Sequence, residues 1–459
     1  MRPARSLRTP NHHLVVGLCT AFTITLLLYE VPIVGAALVT GCAGVLFLAL
    51  LTRGFGDSDQ NHEPGPSLLT ITLLCFATRV LIGIAIASSS ALVEALGPDA
   101  KTYHLGALGI LGSWNTGTQM TTLTIAAGKE GYFYALAGLY YVFGPYQVAG
   151  LVANAALSAA LLPITYDTTR RLFGRQAARI AVVIVAVLPS FVVWTSQLLR
   201  EAAVLFFLAL AANAATRLTE RTTPGLCATL GASLTILFAL RANVALVATA
   251  GLIAGVAFGR RSILPGLATG AVTIGLVAML LVSAGIGYAG FRVASGADLE
   301  QVSVARQDLS KGVASGFAPD TDVSTTSKAL TFLPVSLPTF AFGPFPWQAT
   351  NLLQWGGVLE ALSLWILVPS AVRGIAGARK VAARRSYALT VPAFLLAASL
   401  SLLVGNFGTI VRERLQVTVL LVPLIAYGWT LRRGRSAVRV IEGDTLAASR
   451  NLERGFEPQ

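Results

Sequence analysis

The chain has 459 residues, of which 54% are hydrophobic and only 12% charged, and its mean hydropathy is +0.70. A soluble domain is about a quarter charged, so the composition excludes an ordinary soluble enzyme and points to an integral membrane protein. The net charge of +13 does not indicate nucleic acid, because the basic residues sit in short segments between apolar runs, as a positive-inside bias requires.

The basic start 1-MRPARSLRTPNHH-13 leads into an apolar run with no small-residue cleavage site, and reads as a first anchor rather than a removed signal. Apolar runs then recur at 14–30, 33–52, 67–89, 146–166, 179–197, 200–217, 225–240, 243–258, 264–288, 351–372, 386–405 and 415–431. Their lengths predict an all-α polytopic fold with about twelve transmembrane helices. Pro32 and Gly35 mark either a turn or a kink between the first two runs. Cys19, Cys42, Cys75 and Cys227 all fall inside apolar runs, where free small hydrophobes are expected.

With both termini cytoplasmic, the inner segments hold roughly two thirds of the 34 Lys and Arg residues. They include 170-RRLFGR-175, 260-RR-261, 373-RGIAGARKVAARR-385 and the tail after 432. Segment 90–145 is then extracytoplasmic. Within it, 129-KEGYFYALAGLYYVFG-144 is too short to cross and is expected to lie as a juxtamembrane helix with its aromatics at headgroup depth. The expected organisation is an N-terminal segment and hairpin (1–66), a core (67–288) with outer loop 90–145, and an extracytoplasmic loop (289–350). C-terminal helices (351–431) and a cytoplasmic tail (432–459) follow. The mix of Gly, Ser, Asp and Lys in 289–350 suggests a segment that orders on substrate and shapes acceptor choice.

Four polar clusters interrupt this pattern on the expected outer side. Asp99, Lys101, Tyr103 and His104 follow the third run. Arg200 and Glu201 occupy a tight turn, Arg241 and Asn243 another, and Arg412, Glu413 and Arg414 open the last run. A carboxylate at a membrane surface can serve as general base toward an acceptor hydroxyl. A second can orient the acceptor or hold a divalent cation. Arginines at headgroup depth pair with phosphate oxygens and stabilise a phosphate leaving group. These parts suit transfer of a sugar from a lipid-linked phosphate donor. Bland readings stand beside them: Asp99 and Lys101 as solvated loop residues, Arg200 with Glu201 as an interfacial pair, Arg412 and Arg414 as headgroup anchors. Arg79, inside a run, calls for a structural partner facing the bundle interior.

The order of these motifs resembles the polytopic GT-C glycosyltransferases, near the protein O-mannosyltransferase and aminoarabinose transferase branch (glycosyltransferase family 39-like). Pro98, Asp99 and Tyr103 match a Pro-Asp-x-x-x-Tyr pattern of the first outer loop. Similar to family features are 141-YVFG-144, the basic 170-RRLFGRQAAR-179, Pro189 with 198-LLREA-202, 331-TFLPVSLPTFAFGPFPWQ-348 and 412-RER-414. The resemblance implies Asp99 as catalytic base and Glu201 as second acidic residue. Tyr103, His104, Lys129, Arg200, Arg241, Arg412 and Arg414 are then the substrate-binding candidates, the last two toward the lipid phosphate. It further implies a polyprenyl-phosphate-linked sugar donor, a glycan, lipid or protein acceptor, and an active site on the extracytoplasmic face of a cell membrane.

The family's second acidic residue is commonly Asp. Glu201, with Arg200 beside it, departs from that pattern and leaves dependence on a divalent cation (magnesium or manganese) open. No nucleotide-binding glycine fingerprint lies in a strand–helix context. The alternatives are a polysaccharide polymerase or ligase, in which Asp99 is dispensable, and a transporter, which would show related halves and helices interrupted near the midplane.

Overall fold

A computed structural model describes residues 32–56, 66–117, 130–260, 299–311, 316–349 and 352–454, with side chains of the last helix described as far as Arg432. The described residues are almost wholly helical and contain no strand, only an isolated bridge between Gly316 and Asn406. This is what an apolar solvent demands, since a helix satisfies its own backbone groups and an open strand does not. Among the described residues, eight helices are long and apolar enough to cross a membrane. A ninth crossing results if the bent pair Arg175–Val187 and Pro189–Thr195 is one span. Pro224–Leu240, with 17 residues, is shorter than this class. The expected runs 14–30 and 264–288 lie outside the described residues.

The chain divides into two compact units. Unit 1 comprises residues up to Ala126, Glu130–Ala160 and Thr195–Ala202, and unit 2 holds the remainder. In unit 1, α1 (Pro32–Phe55) packs on α2 (Leu68–Ala87), followed by the short α3 (Ser90–Leu96). Ser67 caps α2 by accepting a hydrogen bond from the Thr70 amide at 3.1 Å. The expected outer segment forms two helices that pack on each other, α4 (Asp99–Thr116) and α5 (Glu130–Phe143).

Gly117, at φ +66°, ends α4 in the left-handed conformation that a side chain would resist. On α5 the buried positions Tyr132, Phe133, Leu136, Ala137 and Tyr140 follow helical spacing. Tyr134 and Tyr141 are exposed. The tyrosines expected together at headgroup depth therefore divide between core and surface. Unit 1 is completed by the first part of α6 (Gln147–Phe173) and by the stretch leading to Glu201.

Unit 2 continues from α6 through α7 (Arg175–Val187) and α8 (Pro189–Thr195), which bend by 53°. Leu188, ahead of Pro189, is extended (ψ 124°), the conformation that a following proline imposes and one that stops a helix. Then come α9 (Glu201–Leu218), α10 (Pro224–Leu240), α11 (Ala242–Gly259), α12 (Leu299–Ser310), α13 (Thr326–Phe342), α14 (Leu352–Val381), α15 (Ala383–Leu403) and α16 (Phe407–Arg454).

Small residues let these helices approach closely, which is how packing replaces the hydrophobic effect in lipid. A Cβ on Gly255 would lie 2.5 Å from the Tyr387 carbonyl oxygen, and one on Gly374 only 1.8 Å from that of Leu424. The segment expected as a loop that orders on substrate is largely helical where described. Both α12 and α13 pack against α15, and α13 is helical despite Pro334 and Pro338. Among the described residues Cys42, Cys75 and Cys227 are free thiols.

Candidate functional site

Between α8 and α9, residues 196–200 leave the helix while remaining buried. Non-helical backbone in apolar surroundings must find hydrogen-bond partners inside the protein. Asn154, buried on α6, supplies them. Its Nδ2 donates to the carbonyl oxygens of Gln197 (2.7 Å) and Leu199 (2.7 Å), and lies 2.9 Å from the Tyr132 hydroxyl. Three glycines let neighbouring helices close on this link. Added Cβ atoms would stand 2.3 Å from the Ser196 carbonyl oxygen at Gly83, 2.2 Å from Gln197 Oε1 at Gly97, and 2.4 Å from a Leu198 methyl at Gly150.

The link is also held at its start. Thr195 Oγ1 accepts from Arg79 Nε at 3.3 Å and hydrogen-bonds to Ser158 Oγ. Arg79 is 1% exposed and also donates to the Cys75 thiol, so it has the interior partners that its place in the span requires.

This clamp fixes where the chain delivers Arg200 and Glu201, both buried, the latter in the first turn of α9. Glu201 acts electrostatically on the Tyr132 phenol. Burial is the main cause driving that phenol's pKa well above its ordinary value; the Asn154 bond opposes the rise, and Tyr103, Tyr140 and Glu201 add to it. Tyr103 meets Tyr132 edge to face at 4.9 Å and Phe133 at 5.0 Å. His104 Nδ1 is 2.7 Å from the Tyr140 hydroxyl, and burial lowers the imidazole pKa. Asp99 is exposed in the first turn of α4, four residues before Tyr103.

Unit 1 thus connects Asp99 and Tyr103 on one helix to Tyr132, Asn154 and Glu201. Sequence reasoning missed Asn154, a lone amide in an apolar run, and assigned Tyr132 and Tyr140 to the membrane interface. Their helical spacing was the available signal.

In unit 2, Arg241 at the α10–α11 junction forms a buried ion pair with Glu413, whose other oxygen accepts from Gln416 Nε2 at 2.9 Å. Arg414 points elsewhere. Its Nε donates to the Phe340 carbonyl oxygen at 2.7 Å and its Nη2 to that of Gly343, so it caps the end of α13. It also acts electrostatically on Glu360, a buried acid on α14 that accepts from Ser190 at the start of α8. Arg412 is only partly buried. Glu360 was not anticipated, because an isolated acid in an apolar run carries no spacing signature.

A second arginine holds the chain just before this helix. Arg306 is 0% exposed and donates to the carbonyl oxygens of Leu402 (3.3 Å), Val404 (2.8 Å) and Phe317 (3.1 Å). Its guanidinium carbon lies 4.6 Å from the Phe332 ring centroid and 5.5 Å from that of Phe317. Burial pulls its pKa down to about 10. Asn406 accepts from the Thr409 amide at 2.7 Å and donates to the Leu309 carbonyl oxygen at 2.9 Å. Helix α12 and Phe317 are thereby fastened to the chain that leads into α16.

The candidate residues fall into two sets: Asp99, Tyr103, His104, Arg200 and Glu201 in unit 1, and Arg241, Arg412 and Arg414 in unit 2. Lys129 lies outside the described residues. Magnesium and manganese favour several hard oxygen ligands. Among the described residues no three His, Cys, Asp or Glu side chains gather to supply them.

A family profile described as dolichyl-phosphate-mannose-protein mannosyltransferase matches residues 131–286. The matched stretch includes Tyr132, Asn154, the clamped link, Glu201 and Arg241, and its portion from 261 onward lies outside the described residues. No curated protein matches the chain. The profile match and the multiple apolar helices support the resemblance to GT-C-type membrane glycosyltransferases.

Proposed function

We propose that this chain transfers a sugar from a polyprenyl-phosphate-linked donor to a glycan, lipid or protein acceptor at the extracytoplasmic face of a cell membrane. The observation that carries the reading is the mannosyltransferase-family match over the stretch containing Glu201 and the link that presents it. In this reading Asp99 takes the proton from an acceptor hydroxyl as that oxygen attacks the anomeric carbon. The bond from that carbon to the phosphate oxygen breaks with inversion, and the phosphate leaves on its lipid. One base and a stabilised leaving group are sufficient for such a displacement.

Arg412 is the first candidate to receive the departing phosphate. Arg414, whose Nε and Nη2 hold the end of α13, has Nη1 without a hydrogen-bond partner among the described residues. Glu201, beside Tyr132 and Tyr103, orients the acceptor. Exposure of Asp99, against burial of Glu201, supports assigning proton transfer to the former and positioning to the latter.

The test is transfer of label from a polyprenyl-phosphate sugar in membranes containing Asp99→Asn or, separately, Arg412→Ala. Both substitutions are expected to lower turnover at least a hundredfold at normal expression. Full activity of Asp99→Asn together with loss in Arg412→Ala would instead favour a ligase or polymerase. Full activity in both would overturn the assignment.

A further inference from the structure

We propose that unit 2 carries a phosphate-binding site centred on Arg217 and Arg221, at the ends of α6, α9 and α11 where the basic segments gather. The argument starts from Asp167, buried near the end of α6. It accepts from Arg171 Nε at 2.8 Å, Arg170 Nη2 at 3.2 Å and Asn213 Nδ2 at 3.0 Å, so its acceptor capacity is largely taken. Glu220 pairs with Arg385 at 3.0 Å. Arg260 donates to the Leu218 carbonyl oxygen at 2.7 Å and to Thr222, capping the end of α9.

Each of those four arginines therefore has an acid or a carbonyl that accounts for it. Arg217 and Arg221 make no such direct contact among the described residues. Asp167 and Glu220 attract Arg217 without hydrogen-bonding it, Arg171 and Arg221 repel it, and its Nε is buried with no hydrogen-bond partner among the described residues. Around one turn the described residues set six arginines against two carboxylates, Asp167 and Glu220. Like charges gathered at the rim of an apolar bundle are unfavourable unless an anion joins them.

The chemistry of the missing anion follows from the donors. Guanidinium groups present forked N–H pairs matched to phosphate oxygens. A carboxylate ligand would suit the fork as well. Phosphate is favoured by place, because the cluster lies at span ends, the depth of lipid phosphates. In the orientation expected from the charge bias, these ends face the cytoplasmic leaflet, so the site is separate from the proposed chemistry. The inference does not rest on the glycosyltransferase reading. The shared chemistry is a phosphate ester, either an anionic phospholipid headgroup or a free phosphate.

Purified full-length protein in nanodiscs of phosphatidylcholine alone, or with phosphatidylglycerol added, separates the two. Lipid retention is read by native mass spectrometry, and inorganic phosphate and pyrophosphate binding by calorimetry in the phosphatidylcholine discs. The double variant Arg217→Gln/Arg221→Gln should lower preference for phosphatidylglycerol by about thirtyfold, the loss expected for two basic contacts. Loss confined to phosphatidylglycerol assigns a lipid site, and loss confined to the soluble anions assigns a free-phosphate site. Equal behaviour of wild type and variant toward every probe overturns the proposal. If the double variant does not fold, the exposed Arg221→Gln alone should reproduce a smaller loss of the same kind, and its absence counts against the site.

Discussion

The two units satisfy the carbonyls at buried helix breaks by opposite means. In unit 1 the carbonyls of residues 197 and 199 are satisfied by a neutral amide, Asn154, with glycines letting the helices close in. In unit 2 the ends of α13 and α15 are satisfied by cations, Arg414 and Arg306. A neutral donor adds no buried charge, so removing it exposes only the acceptors it served. A buried guanidinium is embedded in compensating dipoles and acids, and its removal strands those as well. For the function proposed above, an arginine committed to carbonyls has less to offer a phosphate than the partly exposed Arg412.

The largest test of that contrast is Arg414→Met. It deprives Phe340 and Gly343 of their donor and leaves Glu360 without its nearby cation, with an expected loss of about 3–5 kcal/mol. Thermal unfolding in detergent measures it, and adding Glu360→Gln should recover part of the loss. A smaller effect is expected from Asn154→Leu, about 1–3 kcal/mol for each orphaned carbonyl with no buried acid stranded beside them. If the two variants melt alike, the distinction between charged and neutral clamps fails.

The smallest effect concerns His104, which lies part-buried beside Tyr140. Burial lowers its pKa in the fold, so the unfolded chain takes up the proton first, near 6.5. The stabilisation from neutral His104 is complete above that pH and declines as the pH falls below it. Wild type should therefore lose slightly more melting temperature than His104→Gln between pH 7 and pH 5. Equal slopes would show that the imidazole is indifferent to its setting.

How legible this was in the sequence varies with the kind of signal. Apolar run length located the helices well, because lipid leaves the backbone few alternatives. It did not register the break at Leu188, where one proline decides the geometry, nor α13, where Pro334 and Pro338 argue locally against the helix that packing enforces. Motif order singled out Asp99, Glu201 and the 412–414 arginines as candidates, because such motifs are read from residue type and spacing alone. Asn154, Arg306 and Glu360 were invisible for a common reason. Each is a single polar residue whose partner lies far along the chain, so only the folded arrangement shows what it holds.

The fastening of Arg306 to Leu402, Val404 and Phe317 has a mechanical consequence. Helix α12 cannot swing as an independent flap, because its anchor is the turn from which the helix bearing Arg412 grows. The position of α12 is thereby indexed to that helix. Exchanging α12 for a foreign helix should yield a stably folded chimera only when the turn through Phe407 is transplanted with it.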